Sequence, residues 1–266
     1  MANQFNKADD KVLGIMPVIG LGTWEMSGQD CTESVINALK LGYRHIDTAQ
    51  IYGNEKEVGK GIQSSGVDRQ EIFLTTKVAT GNLTASRIKR TASESLTKLG
   101  TDYIDLLLIH WPTEAMDLRE CLETMFELRD NGLVKYVGVS NFDSELFRKA
   151  IETGPVLTNQ VKFTPYHEEF DNLKVAHEEE KIITAYSPLA RGGIANDKIL
   201  STIGLKYGKT ASQITLRWLI QLGNVSVIPK AHSSHHQEEN IDIFDFELSE
   251  DDMERMMQLG RKAVWH

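Results

Sequence analysis

Eight short runs of apolar or β-branched residues recur along the chain, and a stretch long enough for an amphipathic helix follows almost every one of them. The runs lie at 18–21 (VIGL), 44–47 (RHID), 72–77 (IFLTTK), 105–110 (DLLLIH), 135–140 (KYVGVS), 157–162 (LTNQVK), 182–187 (IITAYS) and 225–229 (VSVIP). None alternates strictly between apolar and polar, so these are strands covered on both faces. Strand and helix alternating in this way, with no Pro/Gly-rich linker between them, indicate one α/β domain with parallel strands. Eight such units favour a closed (β/α)8 TIM barrel over an open doubly wound sheet. The open sheet would want G-x-G-x-x-G after its first strand, and GLGTWEMSG does not fit that pattern. The whole of 1–266 therefore reads as a single barrel domain, with 1–16 as an N-terminal hairpin or lid over one barrel end.

Helix starts are also visible. Asp30 with Glu33, Thr210 with Gln213 and Ser249 with Asp252 have capping-box spacing or close to it. After Thr84, residues Ile88, Ala92, Ser95, Leu96 and Leu99 recur at helical spacing, as do Leu118, Cys121, Leu122, Met125 and Phe126 in the next segment.

Composition narrows the partners. A formal net charge of −9 argues against nucleic acid or an anionic membrane surface, since either would want a basic face. Cys31 and Cys121 are far apart and form no C-x-x-C, so both read as small apolar side chains on helices. The first residues lack the apolar run of a signal peptide, and no segment has the roughly 18 uninterrupted apolar residues of a membrane span. The expected compartment is the cytoplasm.

A barrel of this kind carries its active site where strands end and loops begin, at the C-terminal face. The polar residues at those ends are Asp47, Lys77, His110, Ser140 with Asn141, Gln160 and Lys230, and Tyr52 lies in the loop just after Asp47. Taken singly, each has a structural explanation, such as a turn-forming Asp or a solvated Lys. Taken together, an acid, a phenol, an amine and an imidazole at one barrel end are the ingredients of proton transfer. A free phenol titrates near 10 and is a reluctant donor at neutral pH. An ammonium roughly 4 Å from its oxygen contributes about 4 kcal/mol at an effective dielectric near 20, which lowers the phenol's pKa until desolvation opposes it. Lys77 can thus tune Tyr52, Asp47 can keep Lys77 charged, and His110 can orient a substrate oxygen.

These residues sit within motifs that resemble the aldo-keto reductases: GLGTW, GYRHIDTAQIYGNEKEVGKGI, LTTK, LLLIHWP, VGVSNF, NQVKFTPY, AYSPLARGG, VIPK and ENIDIFDFELSEDDM, in the same order over nearly the whole chain. Within that family the chain is most similar to the short bacterial 2,5-diketo-D-gluconate reductases. The resemblance implies reduction of a carbonyl to an alcohol by NADPH, with NADH tolerated, and a tetrad of Asp47, Tyr52, Lys77 and His110 with Tyr52 as general acid. Ser140, Asn141 and Gln160 match the residues that bond the nicotinamide amide, and Tyr186 the aromatic on which its ring stacks. Gly22 and Thr23 match the first-strand loop near the cofactor, and Ser187, Leu189 and Arg191 a loop over the pyrophosphate.

In IPKAHSSHHQEENI the family holds the adenosine 2′-phosphate with Lys230 and, usually, an Arg where this chain has His236; Glu239 and Asn240 match adenine contacts. A helix start at Ser233 and Ser234 would add backbone N–H groups. Replacing a permanently charged guanidinium by an imidazole implies a weaker NADPH preference that grows as pH falls. Trp24 and Trp111 match pocket walls, with His110 between catalysis and substrate binding. Ala79 stands where relatives often carry Trp, which implies a wider pocket. The ending LGRKAVWH implies a shorter lid than in many relatives, hence loose selectivity and small reactive aldehydes among the substrates. The resemblance further implies a monomer. No metal is expected, because no H-x-H follows the first strand and HSSHH falls at the cofactor end. A cofactor-sensing protein on the same scaffold is the alternative.

Overall fold

The computed structural model describes residues 7–263, with side chains described as far as Gly260. A two-stranded hairpin comes first, β1 (Lys11–Val12) paired antiparallel with β2 (Met16–Pro17). Eight parallel strands follow: β3 (Leu21–Gly22), β4 (His45–Asp47), β5 (Phe73–Val78), β6 (Ile104–Ile109), β7 (Val134–Ser140), β8 (Val156–Lys162), β9 (Ile182–Tyr186) and β10 (Val225–Ile228). Each pairs with the next in chain order. The ring closes through a parallel bridge between Ile19 and Val227, with Gly20 N–H donating to Val227 O at 2.8 Å and Val227 N–H to Val18 O at 3.0 Å. The expected (β/α)8 barrel is therefore observed, each expected run overlapping its strand within a few residues at either end.

The helices are α1 (Gly28–Lys40), α2 (Glu55–Ser65), α3 (Ala85–Leu99), α4 (Leu118–Asp130), α5 (Ser144–Thr153), α6 (Phe170–Glu178), α7 (Lys198–Tyr207), α8 (Ala211–Gln221), α9 (Ser234–Ile241) and α10 (Glu250–Ala263). Thr210 and Gln213 form a reciprocal capping box on α8, and Ser249 Oγ accepts from the Asp252 N–H at the start of α10. Asp30 does not cap: α1 begins two residues earlier, after Ser27, and Asp30 lies in its first turn, where its charge favours the positive end of the helix dipole. Cys31 and Cys121 are buried, unpaired thiols on α1 and α4, and burial pushes both thiols' pKa up, to about 12 and about 11. Ile88, Ala92, Ser95 and Leu99 face inward from α3 as their spacing requires.

The hairpin meets the N-terminal end of the barrel, opposite the strand ends that carry the site. Lys11, Ile15 and Pro17 share a cleft there with Phe73, Asp105 and Lys135, which sit at or near the starts of β5, β6 and β7. The part of the expected 1–16 lid before residue 7, and the chain after 263, lie outside the described residues.

The barrel interior is layered. Because side chains two apart on a strand share a face, His45 and Asp47, Thr75 and Lys77, Thr158 and Gln160, and Thr184 and Tyr186 point the same way. In the lower layer the His45 Nε2 and Thr75 Oγ1 lie 3.0 Å apart, as do, at 2.9 Å, the hydroxyls of Thr158 and Thr184. Gly20 makes room for this layer, since a Cβ there would sit 2.7 Å from the His45 ring. The upper layer holds Asp47, Lys77, Gln160 and Tyr186, so the barrel's own period-two packing brings these four strands' polar residues to one end.

Candidate active site

At the floor of the barrel mouth the Lys77 ammonium uses all three protons: toward Asp47 Oδ1 at 2.6 Å, Thr48 O at 2.8 Å and the Tyr52 hydroxyl at 3.4 Å. Lys77 is 0% exposed and Asp47 2%, so this ion pair sits in a low-dielectric interior. The second carboxylate oxygen of Asp47 accepts from Gln160 Nε2 at 2.7 Å, a bond that reaches across the barrel from β8 to β4. Burial raises the Asp47 pKa, with the Lys77 charge and the two hydrogen bonds opposing it. Burial would also drive Lys77 toward neutrality, but the Asp47 carboxylate and the Tyr52 oxygen outweigh it and hold the ammonium above its ordinary pKa.

Tyr52 ends a single 3-10 turn, Gln50–Tyr52, and Gly53 at φ +68 reverses the chain behind it. Burial is the larger influence on the phenol and raises its pKa, although Lys77 pulls the other way. Desolvation thus exceeds the Coulomb attraction that sequence reasoning emphasised, and Tyr52 stays a protonated phenol. The His110 ring lies edge-on to Tyr52, with ring centroids 5.7 Å apart. Burial, then the Lys77 charge, lowers the imidazole to about 3, so it is neutral at physiological pH, and its Nδ1 has no protein partner.

Above the floor opens a cleft of about 230 Å³ lined by Gly22, Trp24, Asp47, Ile51, Tyr52, His110, Trp111, Ser140, Asn141, Gln160, Tyr186, Ser187, Arg191, Ile228 and Lys230. Asn141, at φ +61, spans its wall: Nδ2 donates to His110 O and Ser140 Oγ, and Oδ1 accepts from the Tyr186 hydroxyl at 2.9 Å. Ser140 Oγ in turn donates to Gln160 O at 2.8 Å. Amide and hydroxyl groups beside an aromatic face, with the cations Arg191 and Lys230 at the same mouth, form a donor set that fits a dinucleotide carrying a carboxamide ring and phosphates.

Several expected residues are not brought to this cleft. Thr23 is fully buried and absent from the lining, and its hydroxyl donates to Asp47 O at 2.9 Å, so its side chain braces the floor. Ala79 is absent from the lining; its N–H donates to Gln50 Oε1 at 3.0 Å. Leu189 packs against the core. His236, Glu239 and Asn240 lie on α9 beyond the cleft. There Ser233 caps the helix by accepting from the His236 N–H at 3.2 Å, and Glu239 accepts from the Thr210 hydroxyl at 2.6 Å. Asn240 is 3% exposed. Among the described residues one group, His235, His236 and Glu239, brings metal-ligand-type atoms within 4.8 Å, on that exposed helix and away from the cleft lining.

Sequence reasoning missed Asn54, Ile51 and Ile228. Buried Asn54 accepts from Thr48 Oγ1 and donates to Thr23 O and Met26 O, tying the loop after β3 to the loop after β4. Its signal was its place between Tyr52 and the α2 start. Ile51 and Trp111, 59% and 46% exposed, give the cleft an apolar rim that no spacing announced.

A parallel barrel with a phenol, an ammonium, a carboxylate and a neutral imidazole gathered at its C-terminal mouth is the architecture of a proton-transferring barrel enzyme. The comparisons narrow that class. The sequence model of the Aldo/keto reductase family matches residues 18–261. Methylglyoxal reductase DkgA of Escherichia coli (strain K12) is 40% identical over 254 residues, covering 93% of this chain and 90% of that one. An aldo-keto reductase of Mycobacterium avium (strain 104) is 40% identical over 243 residues, 90% of this chain and 84% of the relative. Among solved structures, a protein provisionally assigned as 2,5-diketo-D-gluconic acid reductase B superposes with a TM-score of 0.90 at 40% identity, over 97% of this chain and 92% of that one. The chain belongs to the aldo/keto reductase family, and it is an oxidoreductase acting on carbonyl groups with a nicotinamide cofactor. No helix among the described residues is long and apolar enough to cross a membrane.

Proposed function

We propose that this protein reduces small reactive aldehydes and 2-oxo compounds, methylglyoxal among them and 2,5-diketo-D-gluconate as a further candidate, with NADPH as the preferred cofactor and Tyr52 as the proton donor. The observation that carries this reading is the Lys77 ammonium 3.4 Å from the Tyr52 hydroxyl at the floor of a cleft rimmed by Trp24, Ile51 and Trp111. When bound, the nicotinamide supplies the hydride. Ser140, Asn141 and Gln160 would hold its carboxamide, Tyr186 its ring face, Arg191 the pyrophosphate and Lys230 the adenosine 2′-phosphate.

The chain's own part is proton delivery. Tyr52 gives its hydroxyl proton to the carbonyl oxygen as negative charge develops there, and the Lys77 ammonium stabilises the phenolate left behind. Asp47 keeps Lys77 charged, so the stabilising charge is present before the substrate arrives. Neutral His110, which also lines the cleft, orients the same oxygen through a hydrogen bond.

The test is NADPH oxidation by the purified protein with methylglyoxal, an aromatic aldehyde and 2,5-diketo-D-gluconate, each repeated with NADH. The expected order places methylglyoxal first by kcat/KM. A clear preference for the sugar acid would overturn the substrate reading while leaving the chemistry intact.

A further inference from the structure

Both cations that a phosphorylated cofactor would use at the barrel mouth are already engaged by two adjacent residues of the loop after β3. The Arg191 guanidinium lies 4.3 Å from the ring centroid of Trp24, and the Lys230 ammonium 5.7 Å from the same ring. Lys230 also meets the Glu25 carboxylate at 3.3 Å, in a pair whose side chains are 32% and 57% exposed. Glu25 adopts φ +59, a left-handed conformation uncommon for a residue with a side chain. The turn sets the indole against Arg191 and the carboxylate against Lys230, so one short loop occupies both cations.

This pairing bears on which cofactor the site takes. A carboxylate on Lys230 stands where a 2′-phosphate would otherwise find its counter-charge. A ligand carrying that phosphate must draw Lys230 away from Glu25 or bring two anions onto one ammonium, and like charges at close range repel. A ligand without the phosphate makes no demand on Lys230. We infer that Glu25 is a specificity-determining residue, an internal competitor for Lys230 that lowers the advantage of NADPH over NADH. The inference rests on the assignment of Lys230 to the 2′-phosphate in the proposed function. It adds to the His236 effect through a different loop and with a fixed anion.

The experiment uses calorimetric binding of adenosine 2′,5′-bisphosphate and of 5′-ADP to the full chain and to the variants Glu25→Gln, Lys230→Met and the two combined. Glu25→Gln is expected to tighten 2′,5′-bisphosphate binding by about threefold to tenfold, the range of a partly exposed charge contact, and to leave 5′-ADP unchanged. In the Lys230→Met background the same change should have no effect. Equal tightening of both nucleotides, no tightening of either, or a gain that survives loss of Lys230 would overturn the competitor role. If adding Lys230→Met to Glu25→Gln does not weaken 2′,5′-bisphosphate binding, the Lys230 assignment falls instead, and this inference with it. Unchanged 5′-ADP binding also reports that each variant is folded.

Discussion

The floor and the rim of the barrel mouth carry the same kinds of charge in opposite circumstances. At the floor, Lys77 and Asp47 are 0% and 2% exposed and every proton of the ammonium has an acceptor. At the rim, Lys230 meets Glu25 with side chains 32% and 57% exposed, and His236 is 65% exposed beside Glu239. Buried charges interact strongly and are poorly screened, whereas exposed pairs contribute roughly 0–1 kcal/mol and weaken with salt. Chemistry needs the first environment, because a proton donor works only where its neighbours' charges are felt. Cofactor choice can be built from the second, since a few-fold preference needs only small energies.

Substitutions can break that contrast, and the largest effect belongs to the floor. Tyr52→Phe removes the transferable proton and should lower kcat by about 10²–10⁴-fold or more, with NADPH affinity, followed by fluorescence titration, nearly unchanged. A loss of cofactor binding as large as the loss of turnover would mean that the floor is scaffold and not chemistry. Asp47→Ala strands a buried ammonium and should cost about 3–5 kcal/mol of stability in urea unfolding. The same removal at the rim, Glu25→Ala, should stay within about 1 kcal/mol.

Acid should weaken the interior next. His45 and His110 are both lowered to about 3, by burial first and by the Lys77 charge second. Above pH 6.5, the ordinary imidazole value, each is neutral folded or unfolded and costs nothing. Below it the unfolded chain takes up protons that the folded chain refuses until about pH 3, so stability falls as pH falls through that window. The urea midpoint should drop between pH 7 and pH 4.5, and His110→Asn should drop less steeply.

The smallest expected effect is at the rim. His236→Arg, which puts a permanent charge at that position, should raise the NADPH/NADH ratio of kcat/KM a few-fold. An unchanged ratio would show that position 236 has no part in cofactor choice.

The local signals in the chain were strong where backbone geometry imposes a period. Eight apolar runs became eight strands because residues covered on both faces leave little else to do, and the capping spacing of Thr210 with Gln213 held because it is satisfied within one turn. Asp30 failed as a cap because Ser27 and Gly28 start α1 sooner. Thr23 shows what the loop motif alone does not encode: its neighbour Trp24 reaches the cleft, but the turn directs the threonine hydroxyl back to Asp47 O.

By itself, then, the sequence determined the barrel, the strand ends that bear Asp47, Lys77 and His110, and the loop that bears Tyr52, since all follow from local periodicity and from motifs contiguous along the chain. Only the tertiary structure decided that Gln160 reaches Asp47 across the barrel, that Asn54 ties two loops beneath the site, and that Glu25 meets Lys230. Those contacts join residues separated by 113, 31 and 205 positions, and no local pattern encodes which distant strand end or loop a side chain will face once the sheet closes. Closure also half-buries the Tyr52 phenol at the floor of the mouth, which is why desolvation, not the neighbouring ammonium, has the larger hand in its acidity.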